Sequence, residues 1–127
     1  MILLDTVTFL WIITGSQRLS KTAKKLYLDR KNKVYLSSIS VWEMGVKYIL
    51  GKLPLPENPK IFIPKQRIIH GIDSLPLEEN DVFELEKLPK IHGDPFDRML
   101  VGQARAHDFI LLTPDKTVSD YPVKSKW

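Results

Sequence analysis

Short runs of hydrophobic residues without polar alternation recur along the chain. Ile2-Leu3-Leu4, Val34-Tyr35-Leu36 and Phe109-Ile110-Leu111-Leu112 are of this kind, and such runs are typical of strands buried on both faces, as in a parallel sheet. Between them lie segments whose hydrophobic residues recur every three or four positions, which indicates amphipathic helices. The alternation of strands with helices predicts an α/β sandwich with a mainly parallel sheet.

Capping and helix-breaking residues set the predicted boundaries. Ser20 precedes one helix, Gly51 follows another and Pro89 ends a third, all in positions that these residue types prefer. Four prolines between residues 52 and 64 predict a connector with at most a short helix beginning near Asn58 or Lys65. The strands are predicted at residues 2–4, 34–36, 72–75, 109–112 and near 123. The helices are predicted at residues 7–13, 21–30, from 38 or 40 to 50, 78–88 and from 95 to about 107.

The composition is ordinary for a soluble globular protein. The chain has 127 residues, 43% hydrophobic and 27% charged, which predicts a single domain, residues 1–127. It has no cysteine, which excludes disulfides, zinc–thiolate sites and cysteine nucleophiles. The chain begins with an apolar run, but Asp5 stands where a signal peptide would continue that run. No segment approaches the ~18 consecutive apolar residues that a membrane-spanning helix needs. We therefore expect a cytoplasmic protein with no membrane association.

Two acidic residues fall within hydrophobic helix faces. Asp97 and Glu43 each share a helix face with apolar residues that lie three, four or seven positions away. A carboxylate directed toward a hydrophobic core is costly unless it is paired or bound to a cation. The apolar residues on these faces are Leu100, Val101 and Ala104 for Asp97, and Ile39, Val46 and Leu50 for Glu43.

Each of these acids also has a purely structural interpretation. Asp94 could cap the helix that begins at Pro95, with Asp97 stabilised as an acid in its first turn. Glu43 could form an ion pair with Lys47 one turn later, worth only ~0.3–0.5 kcal/mol.

Two further acids follow predicted strands. Asp5 comes after the first strand and Asp115 after the run that ends at Leu112; either could simply cap a turn or helix. In parallel sheets, however, ligands bind beyond the carboxyl ends of the strands. Like charges gathered there would raise one another's pKa, and a divalent cation would remove that conflict. With only hard oxygen ligands, Mg²⁺ or Mn²⁺ is expected, and such ions support phosphodiester hydrolysis.

Taken in order, five segments resemble those of PIN-domain ribonucleases, and within that family the VapC-type toxins of prokaryotic toxin–antitoxin pairs. The segments are Leu3-Leu4-Asp5-Thr6, Ser40-Val41-Trp42-Glu43, Gly51-Lys52-Leu53, Asp94-Pro95-Phe96-Asp97-Arg98 and Thr113-Pro114-Asp115. The resemblance implies a three-layer α/β/α sandwich, a metal-dependent endoribonuclease, a homodimer, and a small antitoxin that covers the acidic pocket. The sequence departs from the family pattern at Val7, a position where members of the family often carry a polar residue.

Carried over residue by residue, the resemblance places the family's catalytic acids at Asp5, Glu43, Asp97 and Asp115. The metal ligands would be the same four residues together with Asp94, which matches an additional acid of the Asp-Pro-Phe-Asp subgroup. The expected reaction is hydrolysis of RNA by a water molecule that Mg²⁺ or Mn²⁺ activates. Thr6, Thr113 and Arg98 are expected in auxiliary roles at a phosphate, a water molecule or a neighbouring acid.

Other functions fit less of the sequence. A phosphatase of the haloacid dehalogenase class also begins with a strand and an aspartate, but it needs a second acid where this chain has Val7. A PIN-like module that binds RNA or protein without cutting remains the alternative, although all four core acids are present. The basic residues between Lys21 and Lys33 could follow an RNA backbone or form a solvated surface, and the net charge of +4 permits either.

Overall fold

A computed structural model describes all 127 residues, and its five strands form one sheet. The strands are β1 (Ile2–Leu4), β2 (Val34–Ser37), β3 (Asp73–Leu75), β4 (Ile110–Leu112) and β5 (Ser125–Lys126). Their order across the sheet is β3-β2-β1-β4-β5, and every pairing is parallel. This confirms the predicted α/β fold and places β1 at the centre of the sheet.

Seven α-helices surround the sheet. They are α1 (Thr6–Thr14), α2 (Lys21–Leu28), α3 (Ser38–Ile49), α4 (Pro59–His70), α5 (Glu79–Phe83), α6 (Pro95–His107) and α7 (Lys116–Ser119), with a 3₁₀ segment at Glu84–Lys87. The predicted caps Ser20 and Asp94 each accept hydrogen bonds from the first turn of their helix. The single helix predicted at residues 78–88 is divided between α5 and the 3₁₀ segment. None of the helices is long and apolar enough to cross a membrane.

The helix allowed near Asn58 is present but longer than predicted, because α4 runs for twelve residues, from Pro59 to His70. Asn58 caps this helix, Pro59 takes its first position, where a missing N–H costs nothing, and Gly71 ends it in the left-handed conformation with φ 65°. Pro64 lies in its interior and removes one backbone hydrogen bond. Burial of the neighbouring Ile63, 1% exposed, offsets that loss.

Hydrophobic cores lie on both faces of the sheet and give the three-layer sandwich. Successive side chains of β1 alternate between them, with Ile2 and Leu4 in one core and Leu3 in the other. The first core adds Phe9 and Ile12 of α1 and residues of α2, α3 and α4, and the second consists largely of residues from α6, β4 and α7. Since β1 is covered on both faces, the residue that follows it, Asp5, is also buried.

Candidate functional site

Asp5 stands at the carboxyl end of the central strand. Leu4 pairs with Leu36 and with Leu112, so β1, β2 and β4 end at the same level. The Asp5 side chain caps α1 by accepting a hydrogen bond from the Thr8 N–H (2.8 Å), and its second oxygen accepts one from the Thr113 hydroxyl (2.5 Å). Burial raises the pKa of the Asp5 carboxyl; the hydrogen bonds from Thr113 and Thr8 oppose the rise, and the charge of Asp115 adds to it.

Glu43 joins the site through Thr6. The Thr6 hydroxyl donates to one Glu43 oxygen at 2.6 Å, while Lys47 Nζ lies 2.7 Å from the other. The predicted ion pair with Lys47 is therefore present, but it uses only one of the two oxygens. The apolar face predicted for Glu43 is only partly buried, because Ile39 lies in the core whereas Leu50 is 61% exposed.

The start of α6 brings two acids to the same edge. Asp94 is exposed and caps the helix by accepting hydrogen bonds from the N–H groups of Phe96 and Asp97. The Asp97 side chain is 25% exposed, and its Oδ2 lies 3.3 Å from His92 Nε2. Burial, then the charge of Asp94, raises the pKa of Asp97 to about 6, with Asp115 adding to the rise and His92 opposing it. The prediction that Asp97 heads a buried face is confirmed, since Leu100, Val101 and Ala104 are all in the core.

Asp115 follows β4 and is exposed. Its side chain caps α7 by accepting a hydrogen bond from the Thr117 N–H at 2.8 Å, and its own N–H donates to the Thr113 hydroxyl at 3.1 Å. Thr113, 3% exposed, thus contacts two acids at once. Both threonines that the sequence singled out, Thr6 and Thr113, touch acidic residues of the site.

The acids therefore meet at one edge of the sheet without forming a closed metal site. The charges of Asp94 and Asp115 both act on Asp97, the charge of Asp115 also acts on Asp5, and Glu43 is linked by Thr6. No three acidic or histidine side chains are grouped closely enough to hold a metal ion as they stand. Glu43 is turned to Thr6 and Lys47, and Asp94 and Asp115 cap their own helices. The oxygen-only donors and the mutual repulsion nevertheless suit a hard divalent cation.

Arg98 forms no hydrogen bond or ion pair with an acid of the site. Its Nη1 donates to the Pro89 carbonyl at 2.9 Å and to the Tyr121 hydroxyl at 3.1 Å. The same hydroxyl reaches His92, the partner of Asp97. The sequence placed His92 near the site, with no role in metal binding expected, but gave no sign of Tyr121, because 29 residues separate the two and no spacing rule relates them.

The chain is similar to known proteins in both sequence and structure. The family model described as PIN domain matches residues 2–124. Ribonuclease VapC16 of Mycobacterium tuberculosis is 44% identical over 36 residues, which are 28% of this chain and about a quarter (26%) of that protein.

Among solved structures, VapBC2 from Rickettsia felis, bound to a DNA fragment from its promoter, gives a TM-score of 0.71 at 17% identity, over 99% of this chain and 98% of that one. DNA-bound VapBC from Salmonella typhimurium gives 0.70 at 18% identity, over 98% of this chain and 96% of that one. These chains share the fold.

Proposed function

Because the chain belongs to the PIN domain family, we propose that it is a Mg²⁺- or Mn²⁺-dependent endoribonuclease, the toxin of a toxin–antitoxin pair, acting as a single PIN-like domain. The observation that carries the proposal is the meeting of acids from four separate segments at the carboxyl edge of the sheet, where the charge of Asp115 helps to raise the pKa of Asp5 and the charges of Asp94 and Asp115 help to raise that of Asp97. The short match to a VapC ribonuclease and the fold shared with VapBC structures support it.

In this proposal Asp5, Asp97 and Asp115 hold the cation, with Glu43 and Asp94 completing the ligand set directly or through water. When bound, such a cation acidifies water and stabilises charge on the phosphoryl oxygens. Thr113 fixes the Asp5 carboxylate from one side, and the Thr8 N–H fixes it from the other. Thr6 orients Glu43 in the same manner. The chain's own contribution is thus to hold several carboxylates in place before RNA arrives.

The proposed partners are a small antitoxin that covers the acidic pocket and a second copy of the chain. Two neighbouring helices, α3 and α4, expose large apolar side chains, and such surfaces are typical of protein interfaces. These side chains are Trp42, Ile49, Leu50, Ile61, Ile68 and Ile69. Light scattering on the purified protein tests the homodimer, since a monomer has a mass of 14.7 kDa.

Cleavage of a mixed RNA pool tests the activity. The purified protein is incubated with Mn²⁺ or Mg²⁺ and, separately, with EDTA, and Asp97→Asn prepared identically controls for a contaminating nuclease. We expect cutting that requires the cation and that the variant lacks. Equal cutting by Asp97→Asn would contradict the proposal. Saturable Mn²⁺ binding with RNA affinity but no cutting would instead favour a non-catalytic RNA-binding module.

A further inference from the structure

The hydroxyl of Tyr121 is the centre of a hydrogen-bond network beside the acidic site. Tyr121 is 3% exposed and lies two residues beyond α7. Its oxygen is 2.8 Å from His92 Nδ1, 3.1 Å from Arg98 Nη1 and 3.3 Å from the backbone N of His92. The network therefore ties the segment before α6, and α6 itself, to a buried residue near the end of the chain.

Counting hydrogens fixes the direction of these bonds. Arg98 Nη1 and the His92 backbone N–H can only donate, so the Tyr121 oxygen accepts from both. Its single hydrogen then goes to the nearest acceptor, His92 Nδ1, which is closer than the His92 carbonyl at 3.4 Å. A neutral imidazole that accepts at Nδ1 carries its hydrogen on Nε2. That nitrogen faces Asp97 Oδ2 at 3.3 Å and donates to it.

The orientation of the Asp97 carboxylate depends on this one hydrogen bond from His92. His92 is the only hydrogen-bond partner of its carboxylate within the chain, and it engages Oδ2 while Oδ1 has none. Asp5, by contrast, has partners on both oxygens. The ring of His92 is held by the Tyr121 hydroxyl and packs against the Tyr121 ring, with 5.4 Å between centroids.

We propose that His92, oriented by the Tyr121 hydroxyl, is a positioning residue that holds the Asp97 carboxylate for cation binding. This rests on the proposed function, because it assumes that Asp97 is a ligand. The arrangement is comparable to the outer hydrogen bonds that orient the ligands of metal sites, whose loss typically weakens metal affinity about 10- to 100-fold. Arg98 donates a hydrogen bond to the same Tyr121 hydroxyl and therefore affects Asp97 only through Tyr121 and His92.

Three variants separate positioning from general stability. His92→Leu removes the donor to Asp97, His92→Gln keeps an N–H donor of similar reach, and Tyr121→Phe removes one oxygen that does not touch Asp97. Tyr27→Phe is the matched control, because the Tyr27 hydroxyl also donates one 2.8 Å hydrogen bond, to the His70 carbonyl outside the site. Mn²⁺ affinity is measured by calorimetry, and kcat and KM are measured on RNA, both below the melting temperature of every variant.

We expect Mn²⁺ affinity to fall about tenfold in His92→Leu and in Tyr121→Phe, with a loss in kcat at unchanged KM, whereas His92→Gln and Tyr27→Phe stay within about threefold of the wild type. The inference is overturned if His92→Leu and Tyr121→Phe bind Mn²⁺ as the wild type does while Asp97→Asn binds none. It is equally overturned if Tyr27→Phe loses as much affinity as Tyr121→Phe. Undiminished Mn²⁺ binding and cutting by Asp97→Asn would instead refute the proposed function.

Discussion

Among single residues, Asp5 and Asp97 differ in how the chain compensates their charge. Asp5 is the more buried, but two donors from Thr8 and Thr113 engage its oxygens. Asp97 is less buried, yet it faces Asp94 and Asp115 with one histidine contact, and its pKa rises to about 6. An ionised Asp97 therefore lowers the free energy of unfolding whenever no cation is bound.

Asp97→Asn should accordingly stabilise the metal-free protein at pH 8. The carboxyl has a pKa of about 6 in the folded chain and an ordinary value of 3.8, so the native state binds more protons than the unfolded state between these values. Wild-type stability thus falls as pH rises from about 4 to 6 and then stays low. The variant escapes this loss, which is on the order of 2 to 3 kcal/mol.

Urea unfolding in EDTA at pH 8 and at pH 3.5 measures the difference. We expect a gain for Asp97→Asn at pH 8 that largely disappears at pH 3.5, where the wild-type carboxyl is mostly protonated in both states. Asp120→Asn is the control, because Asp120 is exposed and its side chain makes no hydrogen bond or ion pair. A gain of the same size at both pH values would show that the charge of Asp97 is not its cause.

Thr113→Val should damage both stability and activity. It keeps the shape of the side chain but removes the hydroxyl that donates to Asp5 and accepts from the Asp115 N–H. Losing a donor to a buried carboxylate costs about 2 kcal/mol, raises the pKa of Asp5 further, and should reduce RNA cleavage about tenfold. Thr113→Ser, which retains the hydroxyl, should behave like the wild type in the same denaturation and cleavage assays. Equal losses in both variants would show that the hydroxyl alone does not account for the effect.

The sequence predicted which single side chains lie at a buried face, but it could not predict contacts between residues far apart in the chain. The apolar positions after Asp97 placed that acid at a buried face, and the structure agrees. The same reasoning failed for Leu50, because a helical period cannot show where a helix end leaves the protein surface. The contact of His92 with Tyr121 was invisible because only the folded chain brings those residues together.

At the level of elements, caps and hydrophobic runs predicted the strands and most helices. The exceptions are α7, which was not predicted, and α4, whose start near Asn58 was allowed but whose length was not, because the prolines favoured a connector. A proline is a local signal, whereas the packing that compensates it depends on where the rest of the chain lies. The helix predicted at residues 78–88 starts with a capping box between Glu78 and Asp81 and changes to the 3₁₀ form at Glu84.

The contact between α5 and α6 depends on a glycine. A Cβ atom on Gly102 would lie 2.9 Å from the backbone oxygen of Asp81, which cannot move without shifting α5. Gly102→Ala should therefore cost about 2 kcal/mol in urea denaturation. Gly45→Ala in α3 meets no atom within 4 Å and should instead add about 0.5 kcal/mol or more, because alanine favours the helix. Equal effects of the two variants would contradict this account of the contact.

For the whole molecule, the position of basic residues relative to the acidic edge matters more than their number. Lys31 and Lys33 precede β2, and the Lys33 carbonyl accepts a hydrogen bond from Ile2 at the start of β1. They therefore lie at the amino edge of the sheet, opposite the acids. Lys116 and Lys126 are exposed at the carboxyl edge, where with Asp115 and Thr113 they line an open depression of about 260 Å³.

We therefore expect the affinity of the protein for RNA bound at the acidic edge to depend on Lys116 and Lys126. Each lysine that neutralises a phosphate steepens the fall of affinity with salt by about 0.7 on a single strand, so Lys116→Gln combined with Lys126→Gln should weaken RNA binding and reduce the log–log salt slope by about 1.4. Lys31→Gln combined with Lys33→Gln removes the same charge from the opposite edge and should leave the slope unchanged. Fluorescence anisotropy of a labelled RNA, with Asp97→Asn present in every protein to prevent cleavage, measures both pairs. If the two pairs lower the slope equally, RNA responds to the net charge of the molecule, and the depression beside Asp115 is not its path.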